Sequence, residues 1–251
     1  MTKMLNGLAG VLLALVATTS ASAAAEITVW TASAFAKVLH QIGPQFEAGT
    51  GNNLNISEGL RDVFIKRIDA GESFDVLILP APQLIDALIK QDKISPDTRV
   101  NLARSGIGVE VRAGAPKPDI GSVEAFKRTL LNAKSIAYLR VGSGEYIHGM
   151  IERLGIADAI KAKVVRPATD TVSEMVAKGE VELGMVVNTQ IVTTPGVELV
   201  GPLPAELQSY LIFTGGVSSK SKAPNAARDL LKFLTGPIAI PVIRSGGMEP
   251  G

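Results

Sequence analysis

The sequence predicts an α/β protein of two lobes, each a mostly parallel sheet flanked by helices, hinged by two crossing strands. Three observations predict it. Short β-rich runs alternate with helical stripes, the pattern of strand–helix–strand crossovers. That series occurs twice, with a change of rhythm near Arg99. Two long extended segments, near 100–111 and 199–217, bracket the second series. A chain that visits a second lobe and returns would carry such a pair. The expected organisation is 26–104 for the first part of lobe one, 105–205 for lobe two and 206–251 for the return to lobe one.

The N-terminal 25 residues stand outside that plan. Lys3 precedes an apolar run over 7–16, followed by small residues with A-x-A sites ending at Ala23 and Ala25. This is the layout of a cleavable secretory signal peptide. The apolar run is about half of the ~20 residues that a membrane span needs, and no basic stop-transfer flank follows. Cleavage before Glu26 removes Lys3 and takes the formal charge from +1 to zero. A soluble, exported protein is expected.

The elements follow in order. Residues 27–30 read as a buried strand. Phe35, Val38, Leu39, Ile42 and Phe46 form one apolar helix stripe, with Ser33 as its expected N-cap and a kink at Pro44. Residues 54–57 read as a strand. Phe64 and Ile68 lie on a short helix ended by Gly71. Residues 74–79 are a strand closed by Pro80, and Leu84, Ile85 and Leu88 are the next helix face. In the second series, 135–139 is a strand. Ile147, Met150, Ile151 and Leu154 are a helix stripe stopped by Gly155. Residues 163–165 are a strand. Thr171-x-x-Glu174 reads as a capping box, and 183–187 as another strand. Gly201-Pro202-Leu203-Pro204 breaks the series. An extended run over 209–217 and a helix carrying Ala227, Leu230, Leu231 and Leu234 finish the chain.

Composition excludes several functions. The chain is 46% hydrophobic and 20% charged, enough apolar residue for a core and too much for disorder. With 25 basic against 24 acidic residues, no charge excess favours nucleic acid. Cysteine is absent, which excludes disulfides, thiolate nucleophiles and Cys-ligated metals. His40 and His148 alone make multi-His metal sites poor candidates. No G-x-S-x-G elbow, H-E-x-x-H pair or P-loop occurs, and Gly142-Ser143-Gly144 falls short of a dinucleotide fingerprint. No catalytic set, metal or cofactor is expected.

The strand-end turns are more informative. Thr31-Ala32-Ser33, Gly59-Leu60-Arg61, Gly142-Ser143-Gly144 and Thr169-Asp170-Thr171 each place small or polar residues at a helix start. Helix N-termini carry unpaired N–H groups and about half a positive charge, so they favour anions. Capping alone explains any single turn; the set suggests an anion held between them. Arg61 reads as a surface residue or as a carboxylate clamp, since guanidinium binds carboxylates bidentately. His148 reads as a partly exposed helix residue or a base, and His40 as solvated. Trp30 reads as core.

Together these residues resemble a family. Ile27-Thr28-Val29 with its small-residue turn, Gln45-Phe46-Glu47 before Gly51, and Arg67-Ile68-Asp69-Ala70-Gly71 before Phe74-Asp75-Val76 resemble periplasmic molybdate-binding proteins. So do Gly142-Ser143-Gly144-Glu145-Tyr146, Gly179-Glu180-Val181-Glu182-Leu183-Gly184 and the closing 223–233 helix before Thr235-Gly236. The resemblance implies the type II periplasmic binding fold, a hinged cleft, a periplasmic monomer and delivery of a ligand to a membrane ABC permease. It also carries departures. The family's first serine falls on Ala34, its serine-rich turn on Gly59-Leu60-Arg61-Asp62, and its tyrosine on Val187, followed by Asn188. An Arg in place of hydroxyls suits a carboxylate-bearing ligand better than a dehydrated oxyanion. The expected ligand residues are Ser33, Arg61, Ser143, Gly144 and Asn188. Some proteins of this shape are similar to aconitate isomerase, which implies an enzymatic alternative with His148, Glu145 or Glu58 as base. A non-transport adhesin or sensor ectodomain is a third possibility on the same fold.

Overall fold

The computed structural model describes residues 24–169 and 171–251. The expected signal peptide, apart from Ala24 and Ala25, lies outside them, as does Asp170 in its turn.

The first series runs β1 (Glu26–Thr31), α1 (Ser33–Thr50), β2 (Asn53–Glu58), α2 (Arg61–Asp69), β3 (Val76–Leu79) and α3 (Pro82–Lys90). A 13-residue strand, β4 (Val100–Arg112), follows. The second series is α4 (Val123–Asn132), β5 (Ile136–Tyr138), α5 (Ser143–Arg153), α6 (Ala157–Ile160), β6 (Val164–Val165), α7 (Val172–Lys178), β7 (Leu183–Val187), α8 (Asn188–Ile191) and β8 (Val197–Pro202). The chain closes with β9 (Tyr210–Val217), α9 (Pro224–Leu234), α10 (Ala239–Ser245) and β10 (Glu249–Pro250).

Both expected parallel sets are present. β1 pairs β2 and β3 in parallel, and β5 pairs β6 and β7 in parallel. β4 joins the two sets. Its Val100–Gly106 half pairs β9, which pairs β3, and its Ile107–Arg112 half pairs β7 and β8. The strand order is β2-β1-β3-β9-β4-β7-β5-β6. The two lobes therefore share one long strand. Residues 203–209, with a short 3-10 turn at Ala205–Leu207, lead back into β9.

Each lobe buries apolar side chains on both faces of its sheet. In lobe one the α1 stripe packs with Ile27, Val29, Val76 and Ile78, together with α9 and α10. The opposite face holds Trp30, Leu77 and Leu79 against α2 and α3. In lobe two Tyr138, Leu183 and Met185 pack on α4 and α5, and Ala137 and Val186 on α7. Every member of the predicted Phe35–Phe46 stripe is buried. Burying such a side chain contributes roughly 1.5–3 kcal/mol, which holds α1 helical through Pro44 despite the lost amide. Trp30 is core, stacked between Phe64 and Phe74 with ring centroids 5.4 and 4.9 Å away.

Three local expectations change. Ser33 is the first helical residue of α1, and Ala32 is its N-cap, without a side-chain cap bond. Thr171 stands at the N-cap of α7 but makes no cap bond; its hydroxyl donates to the Thr169 carbonyl instead. Gly201 and Pro202, read as the start of a break, are instead the last residues of β8, which pairs β4.

Candidate functional site

The register fixes where the strand ends point. Along β3 from Val76 to Leu79, the β9 partners run from Val217 to Thr214. On β4 those positions lead from Val100 toward Gly106. Along β7 from Leu183 toward Val187, the β4 partners run from Glu110 back to Ile107. The carboxyl ends of both parallel sheets therefore aim at the same crossing, Gly106–Ile107. Ligands of open α/β sheets bind at such carboxyl ends.

On the lobe-one side, the turns after β1 and β2 are neighbours. The Gly59 amide donates to the Thr31 carbonyl at 3.1 Å, and the Ala32 amide to the Ile78 carbonyl at 3.3 Å. Ser33 opens α1 and Arg61 opens α2 on this rim, and both are exposed. Arg61 Nε donates to the Asp62 carboxylate at 2.9 Å, with the two side chains 61% and 73% exposed. Leu60, beside it, is 78% exposed. Glu58 ends β2 and accepts a hydrogen bond or ion pair from His40 Nε2 at 3.1 Å.

On the lobe-two side, Gly142 adopts φ 63° and ψ −124°, and α5 starts at Ser143. Ser143 is half-buried and Gly144 buried. A Cβ on Gly144 would lie 1.7 Å from the Leu139 carbonyl oxygen, so this turn is closed as tightly as a backbone without side chain allows. Asn188 opens α8 directly after Val187. Its Oδ1 is buried with no hydrogen-bond partner among the described residues. It lies over Gly108, where a Cβ would meet it at 2.2 Å. Ser33 and Arg61 are thus grouped on one side of the crossing, and Ser143, Gly144 and Asn188 on the other.

The crossing itself has a polar frame that sequence reasoning missed. The Gln208 side chain accepts from the Ile107 amide at 2.8 Å and donates to the Ile107 carbonyl at 3.0 Å. The buried Ser105 hydroxyl accepts from the Thr189 amide at 3.3 Å and donates to the Gly247 carbonyl at 3.2 Å. These bonds tie β4 to the return segment, α8 and the C-terminal turn. None of these residues sits in a spacing that signals its partner.

His148 does not belong to this cleft. Its Nδ1 lies 3.1 Å from the Tyr138 hydroxyl and its Nε2 3.6 Å from Glu152, on the side of α5 facing β6. Glu145, in the first turn of α5, is exposed. Among the described residues no group of three or more His, Asp or Glu could hold a metal ion. None of their helices is long and apolar enough to cross a membrane.

Comparison with known proteins agrees with the fold. A profile of bacterial extracellular solute-binding proteins matches residues 27–249. An aconitate isomerase from a Pseudomonas species is 31% identical over 249 residues, 97% of this chain and 95% of its own. A molybdate-binding protein of Azotobacter vinelandii is 28% identical, over 90% of this chain and 91% of its own. Among solved structures, a substrate-binding domain from Clostridium difficile assigned to a molybdenum ABC transporter superposes with a TM-score of 0.81 at 18% identity. It covers 91% of this chain and 100% of that one. The two-lobed sheet, the crossing at Gly106–Ile107 and a profile match across nearly all the described residues lead to one statement: the chain belongs to the family of bacterial extracellular solute-binding proteins.

Proposed function

We propose that this protein is a periplasmic solute-binding protein, exported by removal of residues 1–25. As a monomer it captures a small carboxylate-bearing anion between its lobes for a membrane ABC permease. The lobes are 26–104 with 206–251, and 105–205. One observation carries the reading: both sets of strand-end turns aim at a single crossing, so helix N-termini approach a shared guest from opposite sides. Ser33 and Ser143 offer hydroxyl and first-turn amide donors, and the Gly144 turn brings backbone close. Asn188, with Oδ1 turned onto Gly108, keeps its NH2 for the guest. Arg61 supplies the positive charge. Its exposed pair with Asp62 is worth at most about 1 kcal/mol, so it exchanges readily for a bidentate ligand carboxylate. The likeness to an aconitate isomerase, and the loss of the molybdate binders' hydroxyl pattern at Ala34, Leu60-Arg61-Asp62 and Val187, support a carboxylate over a tetrahedral oxyanion. Closure follows because only the closed form makes both lobes' contacts at once.

Calorimetry with molybdate, tungstate, sulfate and a panel of di- and tricarboxylates tests this. A tricarboxylate or dicarboxylate is expected to bind at micromolar level. Arg61→Ala should weaken it by about 2 kcal/mol, some 30-fold, without lowering stability. Failure of every anion to bind would remove the reading, and unchanged affinity in Arg61→Ala would remove the clamp.

The likeness to the isomerase over 97% of the chain favours one second reading, proton transfer α to a carboxylate of the bound guest. Glu58 and Glu145, on the facing rims, are then the candidate bases, since His148 is turned to Tyr138. Incubation with trans-aconitate in D2O should introduce deuterium into the recovered tricarboxylate, read by mass spectrometry. No incorporation leaves binding alone.

A further inference from the structure

Lobe two contains a cavity of about 570 Å3 that none of the five cleft residues lines. It lies between α5, α6 and the β5–β6 edge. Its floor is formed by Tyr138, Arg166 and the apolar Ile151 and Ile160, while Arg140, Lys161, Glu152 and Asp158 stand at its exposed rim.

The floor carries hydrogen-bonding capacity that the protein does not use. Arg166 Nε is buried with no hydrogen-bond partner among the described residues. Its Nη2 donates to the Arg140 carbonyl at 3.2 Å, and its guanidinium sits 5.2 Å from the Tyr138 ring centroid. Among the described residues, neither Arg166, Arg140 nor Lys161 is in an ion pair with a carboxylate. The Nε is enclosed beside the Tyr138 ring, so the part of Arg166 open to a guest is the terminal end of the guanidinium, whose charge no carboxylate neutralises among the described residues. The Tyr138 hydroxyl and His148 Nδ1 share one hydrogen bond of 3.1 Å. Whichever atom donates it, a neutral imidazole leaves the pair a second donor, either the Tyr138 O–H or the His148 Nε2–H, the latter facing Glu152 Oε1 at 3.6 Å. Burial holds the Tyr138 hydroxyl above the ordinary phenol value, partly offset by the Arg166 charge, so the phenol keeps its proton at neutral pH.

We infer that this cavity is a second ligand site, separate from the cleft, for a small molecule with a carboxylate or phosphate head. The head sits against Arg166, Arg140 and the Tyr138–His148 pair, and the apolar Ile151 and Ile160 wall takes the rest of the molecule. The rim carboxylates Glu152 and Asp158 disfavour large polyanions and limit the site to small ones.

Because the chain has two histidines, proton NMR reads this site directly. His148 lines the cavity, and His40 lies on α1 in lobe one. The full protein is titrated separately with inorganic phosphate and with malonate, at fixed pH and ionic strength. A saturable shift of the His148 ring resonance is expected for at least one of them, and which one saturates identifies the head group. Arg166→Gln should abolish the shift. Arg140→Gln, at an exposed position that folding tolerates, should weaken it about tenfold. The shift should persist in Arg61→Ala protein, which separates this site from the cleft. A shift that never saturates, that disappears in Arg61→Ala, or that survives in both Arg166→Gln and Arg140→Gln overturns the inference.

Discussion

Gly144→Ala is expected to destabilise the protein by about 3–5 kcal/mol, in the range reserved for backbone and packing clashes. The added methyl would lie 1.7 Å from the Leu139 carbonyl oxygen and 2.4 Å from its carbon. Both are backbone atoms of the turn between β5 and α5, so no side chain can swing aside to relieve the clash. Gly142, at φ 63°, already fixes that turn in a conformation closed to most residues. Either the turn moves as a unit, carrying Arg140, Val141 and Ser143, or the first turn of α5 unwinds. For a chain of this size the melting temperature should fall by about 10 °C, taking roughly 2–4 °C per kcal/mol. The urea midpoint should fall with it at unchanged slope. Gly149→Ala on the same helix is the control. Its Cβ would meet only Arg153 Nη1, at 3.5 Å, an ordinary contact. There the better helix propensity of alanine, up to about 1 kcal/mol, should leave stability equal or higher. Equal melting of Gly144→Ala and the wild type would mean that the turn is looser than its geometry indicates. It would also undercut the approach of backbone to ligand on which the cleft reading depends.

The same turn shows what a sequence reveals and what it hides. The Gly142-Ser143-Gly144 pattern announces a turn before a helix, but the requirement for glycine at 144 comes from Leu139, five residues back and folded over it. Periodic features were legible because each encodes its own burial: the α1 stripe, the four-residue core of β3, the length of β4. Features that depend on competition between neighbours were not. Ser33 loses the cap position to Ala32, whose carbonyl accepts the first helical bond from the Ala36 amide while its own amide is held by Ile78 in β3. The extended run near 199–217 was legible, but Gly201 and Pro202 read as a break within it, whereas the edge strand β8 starts at Val197 and tolerates a terminal proline at Pro202. α10 follows Gly236 and Pro237, which read as the end of the last helix, and holds Pro241 within it. Of the cleft, the helix-start residues were legible and their convergence was inferred from chain order alone. The polar frame of Gln208, Ser105 and Thr189 was not, since its members are about a hundred residues apart and have no motif. The lobe-two cavity is the same case: Tyr138, Lys161 and Arg166 come together only through sheet pairing of β5 with β6.

Asp75→Ala is expected to cost about 3–5 kcal/mol, because this carboxylate is where lobe one is sewn to its returning chain. Asp75 is 6% exposed. Its Oδ2 accepts from the Thr28 amide at 2.9 Å, inside β1. Its Oδ1 accepts from the Ser221 hydroxyl at 2.6 Å and from the amides of Lys222 at 2.9 Å and Ala223 at 3.4 Å, just before α9. All four partners are donors, and an ionised carboxylate is acceptor-only. Alanine leaves them without it, and each buried donor left unsatisfied costs about 1–3 kcal/mol. Ala223 loses least, since its amide also reaches the Ser221 hydroxyl at 3.1 Å. Asparagine is no conservative replacement here. Its carbonyl can serve one side, and its NH2 must then face a donor on the other, so Asp75→Asn should fall between wild type and Asp75→Ala. Thermal and urea unfolding should give that order. Amide exchange should quicken at Thr28 and Lys222 while lobe-two amides keep their protection. That localisation separates a broken tie from general loosening, because the α9 face packs on α1 and β3 rather than on lobe two. If Asp75→Ala costs less than about 1 kcal/mol, water has replaced the carboxylate at these amides, and the return of the chain is held by α9 packing alone.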